Sequence, residues 1–157
     1  MVTIKEITDK DLKSKITADV MGSLPEWFNP PESVAEKAVI HREFPFFAAY
    51  ENDVCIGFAA LKIHNKFTAD IYNMGILREY HRHGAGHMLI AECEKFCTEN
   101  GMKFLTVKTL DESAEYEPYN GTRAFYAREG FIPLEVFTTF WDEENPCLFL
   151  AKYLGGN

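Results

Sequence analysis

One run of the chain, residues 67–99, limits the fold more than any other, because an extended pattern passes through a glycine loop straight into a helix. "FTADIYNMGIL" has the apolar and aromatic character of a strand. His81-Arg82-His83-Gly84-Ala85-Gly86 follows. From Gly86 onward Leu89, Cys93, Phe96 and Cys97 recur at i, i+4, i+7 and i+8, with Glu92, Glu94, Lys95 and Glu99 facing outward. Asn100-Gly101 ends the helix. A helix entered directly from a strand presents unpaired N–H groups and the positive end of its dipole. Glycines at 84 and 86 let those donors approach an anion with no Cβ between them, and a phosphate or pyrophosphate is the natural ligand. The same G-x-G spacing also serves plain structural turns. It is not a P-loop, since no Gly-Lys-Ser/Thr follows, and Leu89 stands where a dinucleotide fingerprint has its third glycine.

The flanking patterns alternate strand and helix. "TIKEI" reads as a strand, and "TDKDLKSKITADVM" as a helix capped by Thr8 or Asp9. A Pro-rich turn leads to a second helix entered through Pro31. "PFFAAYENDVCIGFAALKIH" reads as a hairpin turning at Glu51-Asn52-Asp53. After the central helix come a strand "KFLTVKTL", a loop "DESAEYEPYN", a short helix "TRAFYAREG", and two strands, "FIPLEVFTTFW" and "NPCLFLAKYL". The order βααβββαβαββ predicts an α/β fold with a mixed sheet covered on both faces.

The chain of 157 residues, without repeats or linkers, reads as a single domain over 1–157. No apolar run is long enough for a bilayer, and the N-terminus lacks a signal-peptide core, so no membrane association is expected. Four cysteines without CxxC spacing read as reduced thiols of a cytoplasmic protein. A net charge of −8 speaks against a nucleic-acid partner and is compatible with cationic ones.

"IYNMGILREYHRHGAGHMLI", followed after one strand by "TRAFYAREGF", resembles the GNAT superfamily of acetyl-CoA-dependent N-acetyltransferases, of the small bacterial type. His81 to Gly86 occupy the six places of that family's Q/R-x-x-G-x-G/A motif, with His81 departing at the first place. Phe125-Tyr126 and Gly130-Phe131 match its later signature in order and spacing, whereas Asn120 sits one residue late and is not assigned. The resemblance implies the GNAT fold, a mixed, mostly antiparallel central sheet of six to seven strands with helices on both faces. It implies acetyl-CoA as co-substrate and a V-shaped opening between the strand ending near Ile76 and "FLTVKTL". Ile76 and Leu77 would offer backbone groups to the pantetheine arm, the Ile76 N–H polarising the thioester carbonyl. The pyrophosphate would rest on the backbone of Arg82, His83, Gly84, Ala85, Gly86 and His87.

Acetyl transfer needs an attacking amine, a base and a proton donor for the leaving thiolate. The resemblance assigns the donor to Tyr126 and leaves Phe125 as core. It suggests Asp70, six residues before Ile76, as the base, with burial favouring a raised pKa. Asp70 equally suits a turn cap, and Glu79, Glu112 and Glu117 are lesser candidates. His83 and His87 are spaced i, i+4, yet Cys93 and Cys97 belong to the apolar stripe, so no metal is expected. Two segments rich in aromatics and carboxylates, "SLPEWFNPPES" and "TLDESAEYEPYN", are expected to line the acceptor pocket through Trp27, Phe28, Tyr116 and Glu117. Such a lining suits a small cationic amine. A protein or peptide amine, or a non-catalytic acyl-CoA sensor of the same fold, are the alternative readings. A homodimer through the last strands is compatible with the fold, and no residue demands it.

Overall fold

A computed structural model of the chain describes residues 1–155. Its elements are β1 (Val2–Glu6), α1 (Lys10–Gly22), α2 (Pro31–Ile40), β2 (Phe46–Glu51), β3 (Val54–Ile63), β4 (Thr68–Ile76), α3 (Ala85–Glu99), β5 (Phe104–Leu110), α4 (Pro118–Arg128), β6 (Ile132–Asp142) and β7 (Asn145–Tyr153). The seven strands form one sheet in the order β1-β2-β3-β4-β5-β7-β6. Among the described residues only β4 and β5 run parallel; every other neighbouring pair is antiparallel. Among the described residues no helix is long and apolar enough to cross a membrane.

Alternation along the central strands fills both faces. Phe47 and Ala49 of β2, with Ile56, Ala59 and Leu61 of β3, pack under Leu89, Ile90, Cys93 and Cys97 of α3 and Tyr126 of α4. Phe46, Ala48, Phe58 and Ala60 turn to the other face, under Ile16, Val20 and Met21 of α1 and Val34 of α2. The stripe that predicted α3 is thus its buried face. All four cysteines are free thiols. Burial pushes Cys97 and Cys147 up to about 11 and Cys93 further still, so none is a ready nucleophile.

Local chemistry accounts for the element ends. Asp9, one of the two candidate caps, accepts from the Leu12 N–H at 3.0 Å. The β2–β3 turn is Asn52-Asp53 alone, both with positive φ (51° and 66°), and Glu51 belongs to β2. The last helix begins at Pro118, four residues before the expected Thr122, because a proline in the first helical turn needs no N–H partner.

The sheet splits part-way along its parallel pair. β4 pairs with β5 only from Thr68 to Ile71, opposite Phe104 to Val107. Beyond Ile71 the pairing of β4 with β3 shifts register, from Leu61↔Ile71 to Ala60↔Asn73, leaving Tyr72 as an extra residue. Such a bulge bends its strand. Here it coincides with the point at which β4 leaves β5, and a cleft of about 1830 Å³ opens between them.

Candidate active site

Leu77 donates its N–H to the Ile56 carbonyl at 2.8 Å. In an alternating antiparallel ladder, the N–H and C=O of Ile76 therefore turn away from β3, into the gap. His81 supports this direction, because its Nε2–H donates to the Ile76 carbonyl at 2.7 Å. The Ile76 N–H thus faces the cleft. The expectation for Leu77 is corrected: its N–H belongs to the sheet and its side chain packs toward α1.

At the mouth of the cleft, Gly84 is the N-cap of α3 with φ +86° and open space where a Cβ would stand. Arg82 has φ +69°. The N–H of Met88 is the first to close a helical turn, onto the Gly84 carbonyl. The N–H groups of Arg82, Gly84, Ala85, Gly86 and His87 have no backbone acceptor among the described residues, which leaves a row of donors at the positive end of a helix. His83 departs from this arrangement. Its N–H reaches the Tyr80 carbonyl at 3.4 Å and its ring lies 3.5 Å from Glu51, outside the cleft. His87 turns instead to Glu129, 2.9 Å away, so the two histidines with helical spacing have separate carboxylate partners. Gly86 answers a packing demand as well, since a Cβ there would stand 2.9 Å from Cε1 of Phe125. Phe125 is accordingly the ring that seats α4 against the start of α3.

Tyr126, one residue on, lines the cleft, and its hydroxyl has no hydrogen-bond partner among the described residues. Burial, helped by the nearby charge of Asp70, pushes the phenol well above the ordinary tyrosine range, so it keeps its proton. A protonated, unpartnered hydroxyl at the wall of the opening is chemically a proton donor.

Asp70 lies lower, where β4 and β5 still pair, and is 3% exposed. Thr106 donates to its Oδ1 at 2.6 Å, and Lys108 Nζ stands 3.5 Å from the same atom. Thr106 and Lys108 left no local signal in the sequence, since cross-strand register alone brings them to Asp70. The lesser base candidates Glu79, Glu112 and Glu117 do not line the cleft.

The two expected acceptor segments do meet. Trp27 Nε1 donates to the Pro118 carbonyl at 3.0 Å, Tyr116 Oη to the Glu26 carbonyl at 2.8 Å, and Tyr119 Oη to the Trp27 carbonyl at 2.8 Å. Burial pushes the Tyr119 phenol up to about 12, which keeps it a donor well into the alkaline range. The α1–α2 loop is thereby stitched to the β5–α4 loop as a strap at the cleft. Trp27, Phe28 and Tyr116 line that cleft, while Glu117 does not. Glu117, expected to greet a cationic acceptor, is therefore elsewhere; Glu26 lines the cleft paired with Arg78, and the polar atoms of Trp27 and Tyr116 hold the strap.

The chain matches the acetyltransferase (GNAT) family over residues 14–131. No curated protein is similar enough to stand as a relative. Among solved structures it resembles a GNAT-family acetyltransferase from Desulfovibrio desulfuricans, at 20% identity and TM-score 0.82, over 99% of this chain and 100% of that one. It also resembles an aminoglycoside 6'-N-acetyltransferase complexed with coenzyme A, at 16% identity and TM-score 0.77, over 99% and 98% of the two chains. A ribosomal-protein alanine N-acetyltransferase from Escherichia coli is similar at 16% identity and TM-score 0.75, over 100% and 96%. At these identities the likeness is one of fold.

Proposed function

Because the chain belongs to the acetyltransferase (GNAT) family, we propose that it transfers the acetyl group of acetyl-CoA to a primary amine by direct attack within a ternary complex. The observation that carries this reading is the parting of β4 from β5 directly beside the bare N–H groups of α3. A diphosphate and a thioester arm need those two features side by side: a row of amide donors for the anion, and an unpaired strand edge for the extended arm. The solved relative holding coenzyme A is in keeping with acetyl-CoA as the donor.

Each residue then has a task. The N–H groups of Arg82 and of Gly84 to His87 hold the anionic end. The Ile76 N–H points where a thioester carbonyl gains negative charge on attack, and a fixed donor there favours the transition state over the ground state. Tyr126 supplies a proton to the departing thiolate. Asp70, buried between Thr106 and Lys108, takes the ammonium proton, directly or through water. The strap between the α1–α2 and β5–α4 loops narrows the approach, which favours a small amine over the surface of a folded protein. The unpartnered Tyr126 hydroxyl speaks against a module that binds acyl-CoA and stops there.

The test is release of free thiol from acetyl-CoA in the presence of a panel of primary amines, with calorimetric titration of coenzyme A alongside. Turnover with an amine and micromolar-range binding support the reading. Tight binding without turnover on any amine would make the protein a sensor.

A further inference from the structure

The acceptor end of the cleft carries a charge that neither the composition nor the aromatic loops foretold. In the β3–β4 register Lys62 stands directly opposite Asp70, and Asp70 opposite Thr106, so these three side chains share one face of the sheet. Lys108, two residues beyond Thr106, shares that face and is held 5.1 Å from the Phe149 ring centre and 5.4 Å from that of Phe140. The bulge at Tyr72 sets its ring on the same face, against Phe44 and His41. Two ammonium groups then converge on that one ring. Lys37 of α2 lies 5.5 Å and Lys62 lies 5.7 Å from its centre.

All three lysines line the cleft. Neither Lys37 nor Lys62 has an ion-pair partner among the described residues, in a chain whose net charge is −8. Of the carboxylates that line the cleft, Glu26 is paired with Arg78 and Glu129 with His87. Asp70 is held by Thr106 and Lys108, and Asp142 by Asn145 and the Glu144 N–H; Glu144 itself is exposed on the β6–β7 turn. Lys37 and Lys62, gathered on one ring without an ion-pair partner, raise the positive potential beside Tyr72, and an anion complements it.

Resting on the acetyl-transfer reading above, we propose that the acceptor is a small primary amine bearing an anionic oxygen group, a carboxylate or a phosphate, which Lys37 and Lys62 receive beside Tyr72. Tyr72 and Ile76 are four residues apart on β4, about 13 Å along the strand. The amine and the anion of the acceptor are therefore separated by several bonds rather than by one carbon.

Three acceptors of nearly one length separate the cases: δ-aminovalerate, pentylamine and cadaverine carry an anion, a methyl group and an ammonium at the far end. Aminopropyl phosphate distinguishes phosphate from carboxylate. With free-thiol release as the readout, kcat/KM for the better of the two anionic amines is expected to exceed that for pentylamine by about tenfold or more, with cadaverine lowest. In Lys37→Gln/Lys62→Gln that ratio falls toward one while the affinity for coenzyme A, read by calorimetry, holds. A wild-type protein that acetylates pentylamine or cadaverine as well as the anionic amines overturns this inference alone, as does a preference that survives the double substitution. A protein that acetylates other primary amines but none of these four also overturns this inference, whereas one that binds coenzyme A and releases no thiol with any primary amine overturns the function on which the inference rests.

Discussion

His81 Nε2 and the carbonyl oxygen of Ile76 are 2.7 Å apart, a bond that closes the carbonyl of the last β4 residue while leaving its N–H toward the cleft. The same imidazole meets the edge of Trp27 at 6.0 Å between ring centres. The residue that departs from the family motif thus turns inward to the strand. His81→Ala should weaken coenzyme A binding about three- to tenfold, the value of one lost hydrogen bond, by letting the end of β4 turn. His81→Gln, which keeps a donor, should recover part of the loss. Calorimetry on the three proteins decides it, and identical affinities would remove His81 from the cofactor cradle.

Tyr126→Phe leaves the ring in its packing against Phe125 and Phe131 and removes only the hydroxyl. Turnover should drop by about two to three orders of magnitude with coenzyme A affinity unchanged. Because burial holds the phenol above the ordinary tyrosine range, the wild-type rate should show no loss attributable to Tyr126 near pH 10. A rate and an affinity that fall together would reassign the residue to binding.

Gly86→Ala sets helix propensity against packing. The substitution gains less than about 1 kcal/mol as a better helix former. A Cβ 2.9 Å from Phe125 Cε1 and 3.0 Å from Cζ forces the ring to move, which costs about 1–3 kcal/mol, so the protein should be destabilised. Coupled with Phe125→Leu, the penalty should shrink in a double-mutant cycle read by urea unfolding. Additive effects would mean the two residues do not meet.

His41 is fully buried, between the Thr17 hydroxyl and Asn73, each 2.8 Å from a ring nitrogen. Burial lowers its pKa from 6.5 to about 4, partly opposed by the bond to Asn73. The unfolded chain therefore binds the extra proton first as the solution is acidified. The stability this residue protects is complete above about pH 6.5, declines as the pH falls toward 4, and levels off below. The loss over that window is about 3 kcal/mol. Urea titrations of wild type and His41→Gln from pH 7 to pH 4 should show the wild type losing the larger share, and parallel curves would contradict it.

The order of strands and helices, the two-faced core and the glycine-lined entrance of α3 were legible in the chain itself. Each follows from neighbours in sequence: apolar periodicity at Leu89, Cys93 and Cys97, a cap at Asp9, glycines at 84 and 86. What the tertiary structure alone decided depends on register between distant segments. The bulge at Tyr72 parts β4 from β5. Pairing across three strands brings Lys62, Asp70 and Thr106 onto one face, and residues some 90 apart tie Trp27 to Pro118. Local pattern records which side of its own element a residue takes. Which charges then share a cavity is set by how the elements dock, and that is why Lys37, Lys62 and Lys108 join the cleft although the loops beside it read as acidic.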